Sequence, residues 1–120
     1  MPKTTLILGA TPNPSRYANI AAHRLAGHGH PIRNVGIKDG EVAGEPIVKG
    51  TPDYDDIDTV TLYVGPARQP PYYDYLLSLE PKRIIFNPGT ENPELAELAR
   101  ERGIEATEAC TLVLLASGQY

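Results

Sequence analysis

Gly9-Ala10-Thr11-Pro12-Asn13-Pro14-Ser15-Arg16 joins an apolar run, Leu6-Ile7-Leu8, to a stretch with the apolar spacing of a helix. A glycine that lets the backbone turn close to a ligand, hydroxyls that donate, and a helix start whose N–H groups lack intrahelical partners together make an anion site. A pyrophosphate fits such a corner, with Gly9 and Ala10 at its floor, Thr11 and Ser15 as donors and Arg16 as a nearby charge. Asn13 or Ser15 is expected to cap the helix, and Pro14 is tolerated near its first turn because its missing N–H breaks no intrahelical bond. Thr11 and Pro14 replace the second and third glycines of G-x-G-x-x-G, so the run specifies phosphate better than it specifies NAD.

These residues need a frame. Residues 4–8, 32–37, 60–64 and 83–86 are short, apolar and rich in β-branched or aromatic types, and residues 105–108 make a weaker fifth strand. The intervals are of βαβ length, which predicts a parallel sheet covered on both faces. The first helix is expected to bury Tyr17, Ile20, Ala21 and Leu25 and to end at Gly27 and Gly29. A second, over residues 70–79, points Tyr72, Tyr73, Leu76 and Leu77 inward and stops before Pro81. The third opens with Asn92 as cap and Pro93 in its first turn, carries Leu95, Leu98 and Ala99 on one face and stops at Gly103. Residues 38–46 are too rich in glycine and charge for a crossover helix and read as a loop with at most one helical turn; the apolar residues 110–116 read as a short buried helix. The expected fold is α/β: a Rossmann-like, open, mainly parallel five-stranded sheet with helices on both faces, in one domain over residues 1–120.

Ligands of open parallel sheets sit beyond the carboxyl ends of the strands. Those ends carry Gly9-Ala10-Thr11, Gly36-Ile37-Lys38, Tyr63-Val64-Gly65-Pro66 and Asn87-Pro88-Gly89-Thr90, whereas Lys3, Lys82 and Arg83 fall at the opposite end. An NAD site wants a carboxylate after the second strand, to bind the ribose hydroxyls; this chain has Lys38, which attracts a phosphorylated ribose. The ligand implied is an adenine nucleotide with a pyrophosphate and an extra ribose phosphate, which means coenzyme A or NADP. Arg16 and Arg68 complete a positive rim.

Other chemistries find less support. A formal net charge of -4 argues against a general nucleic-acid binder, and no apolar run has the length of a membrane span. The single cysteine, Cys110, excludes an internal disulfide and reads as buried and inert; residues 1–5 lead straight into the first strand without a signal peptide, so a cytoplasmic setting is expected. His23, His28 and His30 lack a cysteine or carboxylate at ligand spacing, so no metal is expected. Tyr72, Tyr73 and Tyr75 have helical spacing rather than that of a base-stacking platform, and Glu91, Glu94 and Glu97 suit a helix start. No nucleophile–base constellation emerges from the strand ends.

The run from Gly9 to Arg16, the strand end Val35-Gly36-Ile37-Lys38 with Glu41-Val42-Ala43-Gly44-Glu45-Pro46-Ile47, and the later Ala99-Arg100-Glu101-Arg102-Gly103-Ile104 resemble the CoA-binding domain. That domain stands alone in small bacterial proteins and forms the nucleotide-binding part of the succinyl-CoA synthetase alpha subunit. The sequence departs from the family pattern where Gly36-Ile37 stands in place of Asn-Pro. The resemblance implies that Gly9, Ala10, Thr11, Asn13, Ser15 and Arg16 hold the CoA pyrophosphate. It places the adenosine and its ribose phosphate at Gly36, Ile37 and Lys38, and the adenine or its linker at Tyr63, Val64 and Pro66. The histidine phosphorylated in the synthetase belongs to a domain this chain lacks. A non-catalytic binder of coenzyme A or an acyl-CoA is the expected function; a small NADP-dependent reductase, or the remnant of one, is the alternative.

Overall fold

The computed structural model describes residues 2–120. Its central strands are β1 (Thr5–Leu8) and β5 (Thr59–Leu62), every residue of which is buried. They pair in parallel with Leu8 opposite Leu62, while β2 (Ile32–Val35) lies on the other side of β1 with Val35 opposite Leu8. Outward from β5 come β6 (Arg83–Phe86) and β7 (Glu105–Glu108), both parallel. The weak fifth strand is therefore real, as the edge of that half-sheet.

The sheet has seven strands, not five, in the order β3-β4-β2-β1-β5-β6-β7. The additional two, β3 (Glu41–Val42) and β4 (Glu45–Val48), lie within or just beyond the segment expected to be a loop. They form an antiparallel hairpin, and β4 then runs parallel to β2. The turn places Ala43 at φ 53 and Gly44 at φ 82, the paired left-handed conformations that a two-residue hairpin needs. Asn34, buried in β2, fastens this turn by donating its amide to the carbonyls of Val42 and Glu45, each at 3.1 Å. The hairpin's alternation is concealed in sequence because one residue of β3 and two of β4 face solvent and carry charge or proline.

Helices cover both faces. Leu6, Leu8, Val60, Leu62, Ile84 and Phe86 pack with Leu76 and Leu77 of α2 (Tyr73–Ser78) and Leu95, Ala96 and Ala99 of α3 (Pro93–Glu101). On the other face Ile7, Ile32 and Ile47 meet Ala18, Ala22 and Leu25 of α1 (Tyr17–Gly27) and Leu115 of α4 (Thr111–Ala116). Two turns of 3₁₀ helix, Pro66–Arg68 and Pro70–Tyr72, precede α2. The second expected helix is thus a shorter α-helix entered through prolines that lack the N–H for regular α pairing.

Asn92 caps α3 as expected, its Oδ1 accepting from the amides of Glu94 and Leu95. In α1 Ala21 and Leu25 are buried as expected, but the rest of the expected inward face is not: Tyr17 is 71% exposed and Ile20 only half-buried. The buried stripe is Ala18, Ala21, Ala22 and Leu25, equally consistent with a helical period but built of small residues that let the helix lie close to the sheet. No helix among the described residues is long and apolar enough to cross a membrane.

Candidate functional site

The strand order defines a crevice. From β1 the chain builds outward through β2 to β4, then returns to place β5 against the other side of β1, so the switch point lies between the carboxyl ends of β1 and β5. Gly9 sits there at φ +99, and a Cβ on it would lie 2.9 Å from the Tyr63 carbonyl oxygen. Gly36, at the end of β2, approaches more closely still: its Cβ would lie 2.4 Å from the Ala10 carbonyl oxygen. Gly9, Ala10, Gly36, Tyr63 and Val64 are thereby brought together, with backbone against backbone.

The amides at this floor are already occupied. Gly9 and Ala10 both donate to the Val35 carbonyl, at 2.9 and 3.0 Å, so neither N–H is directed at a ligand and both hold the β1 turn against β2. The next residues form a compact turn. Asn13 Oδ1 accepts from the Ser15 amide at 3.0 Å and from the Ser15 hydroxyl at 2.8 Å, and the Arg16 amide bonds the Asn13 carbonyl at 3.1 Å. This local turn, rather than a cap by Asn13 or Ser15, delays α1: its N-cap residue is Arg16, whose side chain makes no capping bond. The amides of Tyr17 and Ala18 consequently make no hydrogen bond to another described residue. Buried Asn19 ties the loop to the helix by donating to the Thr11 carbonyl at 3.0 Å. The Thr11 hydroxyl oxygen accepts from the Asn13 amide at 3.2 Å and keeps its own proton for an outside acceptor.

Arg16, Ile37, Lys38 and Pro66 lie on the exposed rim. Arg16, Lys38 and Arg68 form no ion pair with a described residue. Ile37 is 70% exposed, an apolar side chain standing in solvent beside the corner. Tyr63 contributes its backbone to the crevice, while its ring packs with the α1–α4 side of the core. Burial pushes its hydroxyl up to about 12, against the opposing effect of hydrogen bonds with the hydroxyls of Thr61 and Thr111.

Beneath the crevice a buried network holds the ends of β5 and β6. Asn87 donates to Thr61 Oγ1 at 2.7 Å and to the Leu62 carbonyl at 2.9 Å, and accepts from the Thr111 amide at 2.9 Å. Gln69, fully buried, donates to the carbonyls of Val64 and Thr90 and accepts from Asn92. The sequence reading missed two further residues at the rim, Asp39 and Lys49. Lys49 follows β4, and a reading without that strand has no reason to place it near Lys38. Two shallow surface grooves lie elsewhere, lined by Asp53, Tyr54, Asp55 and Asp56 with Arg33, and by Asp53, Asp74 and Tyr75; their carboxylates repel a nucleotide.

An open α/β sheet with a glycine-lined crevice at its switch point, and with rim cations that form no ion pair among the described residues, has the layout in which ligands of such sheets bind. Comparison with known families narrows the class. The chain belongs to the CoA-binding domain family, whose model matches residues 3–116. An uncharacterized protein of known crystal structure is 54% identical, with a TM-score of 0.98 over 100% of this chain and 99% of its own. A hypothetical protein from Pyrococcus horikoshii is 29% identical over 92% of this chain and 80% of its own, with a TM-score of 0.83. A Thermus thermophilus protein shares the fold at 23% identity, with a TM-score of 0.86 over 99% of this chain and 91% of its own. No curated protein matches the sequence.

Proposed function

We propose that this protein is a non-catalytic binder of coenzyme A or an acyl-CoA. The pyrophosphate lies over residues 11–18, where the Thr11 hydroxyl and the amides of Tyr17 and Ala18 are available and Arg16 supplies charge. Gly9 and Ala10 shape the floor rather than donate, and Asn13 and Ser15 hold the turn. The adenosine packs on Ile37, with its ribose phosphate near Lys38, and the linker passes Val64 and Pro66. The observation that carries this reading is the corner itself: three strand ends in backbone contact, open helix amides, and exposed cations without ion-pair partners in a protein of net charge -4.

Isothermal titration with CoA, dephospho-CoA, NADP and NAD at fixed salt tests the proposal. CoA is expected to bind best. Lys38→Gln is expected to weaken CoA about tenfold, the scale of one charge-assisted contact of ~1.4 kcal/mol, and to leave dephospho-CoA unchanged. Equal affinity for CoA and dephospho-CoA removes the role of Lys38. Tight NADPH binding with hydride transfer to an aldehyde replaces the proposal with the reductase reading.

A further inference from the structure

The loop after β2 is held on two sides. At one end the Gly36 amide donates to the Val48 carbonyl at 3.1 Å; at the other the Ile47 amide donates to the Gly40 carbonyl at 2.8 Å, so both ends of residues 36–40 are fastened to β4. Gly40 also abuts the β1–α1 loop, since a Cβ on it would lie 3.3 Å from Cβ of Pro12. The loop therefore presents Lys38 and Asp39 between the pyrophosphate corner and the end of β4. Lys49, the first residue beyond β4, reaches Asp39 with Nζ 2.6 Å from Oδ1. This pair holds a second ammonium group beside the segment that carries Lys38.

We propose that Lys49 is a second ligand of the ribose phosphate and that Asp39 is its exchangeable counter-ion, holding the ammonium at the rim until a phosphomonoester displaces the carboxylate. This rests on the CoA reading and adds to it the residue pair that sets phosphate selectivity. The exchange is favoured by charge. A phosphomonoester carries about -1.5 to -2 at neutral pH and three acceptor oxygens, against one charge and two oxygens on Asp39. Asp39 can be released readily because its side chain is 93% exposed and that of Lys49 56%, so water solvates the displaced carboxylate. The Lys49 ammonium also holds the Asp39 carboxyl below its ordinary range, first by the hydrogen bond and then by its charge, so Asp39 is ionised and competing at neutral pH. A pyrophosphate diester, with one charge per phosphorus, competes less well, and the pair thus distinguishes the ribose phosphate from the rest of the ligand.

Isothermal titration with CoA and dephospho-CoA on wild type, Lys49→Gln, Asp39→Asn and the double variant tests the exchange. The sites are exposed, so melting temperatures are expected to stay within about 2 °C of wild type. Lys49→Gln should weaken CoA about five- to tenfold and Asp39→Asn should tighten it about threefold, differences of ~1.0–1.4 and ~0.7 kcal/mol, while dephospho-CoA moves less than about twofold in either. The double variant should match Lys49→Gln, because without the ammonium the carboxylate has nothing to release. Weaker CoA binding in Asp39→Asn, or unchanged CoA binding in Lys49→Gln, overturns the exchange. A wild type that still prefers CoA to dephospho-CoA when Lys49→Gln has no effect leaves the CoA reading standing with Lys38 alone. A wild type that binds neither ligand overturns both.

Discussion

Replacing Gly36 by alanine probes the contact on which the crevice depends. The added Cβ falls 2.4 Å from the Ala10 carbonyl oxygen, so about 1 Å of separation is needed to reach ordinary van der Waals contact. That movement pulls β1 from β2 where the Gly9 and Ala10 amides, at 2.9 and 3.0 Å, share the Val35 carbonyl. Overpacking costs about 1–3 kcal/mol, and loss of one of the two hydrogen bonds adds ~1 kcal/mol, for about 2–4 kcal/mol in all. At an unfolding entropy of ~2.1 cal/mol/K per residue, a chain of this length loses about 4 °C of Tm per kcal/mol, so Gly36→Ala should melt ~8–16 °C below wild type. Circular dichroism or scanning calorimetry reads this directly. Gly27→Ala is the matched control: nothing lies within 4 Å of its added Cβ, its φ is not positive, and it lies within α1. Alanine there should raise Tm by about 2–4 °C through reduced unfolded-state entropy and better helix propensity. CoA affinity should fall with Gly36→Ala and not with Gly27→Ala. A Gly36→Ala protein melting within about 2 °C of wild type would refute the close-approach argument.

Asn87→Ala should destabilise the protein by about 2–4 kcal/mol, seen as a lower urea midpoint, because it leaves the Thr111 amide and the Leu62 carbonyl without a buried partner and opens a cavity between β5 and α4. A smaller loss than from an exposed asparagine would contradict the role given to this network. His30 predicts acid sensitivity. Burial, then the charge of Lys3 and of His28, hold its pKa below 6.5, and its Nδ1 accepts the Lys3 amide at 2.9 Å. The unfolded chain thus binds the proton more readily, so stability is full above about 6.5 and falls as pH drops through the folded-state value. Urea midpoints should decline from neutral pH toward pH ~5 in wild type and less steeply in His30→Gln. Identical slopes would exclude His30 as the source.

Local signals in the sequence were strong where one residue type serves one conformation. Asn92 followed by Pro93 specified the start of α3 because a side-chain oxygen must meet orphan amides there. Gly103, at φ 76, specified its end. The central strands were legible because burial on both faces restricts them to apolar and β-branched residues, Thr-Leu-Ile-Leu in β1 and Thr-Val-Thr-Leu in β5. Two features read differently in context. Asn13 is a strong capping type, but its oxygen is engaged by Ser15 in a turn, so α1 starts later and Tyr17 turns outward. The β3–β4 hairpin has too few inward side chains to show a period, and its identity comes from Asn34 on another strand and from pairing with β2.

From the chain alone came the parallel α/β class, the order of its main elements, the glycine turn after β1 and the position of Lys38 after the second strand. Those depend on residue spacing along one segment, which a linear reading can follow. Tertiary structure alone decided which amides stay open, that Gly36 must lack a side chain, and that Lys49 and Asp39 meet beside Lys38. Each of these is a contact between segments distant in sequence, set by strand order and register, and no local propensity encodes the distance between two strands' ends.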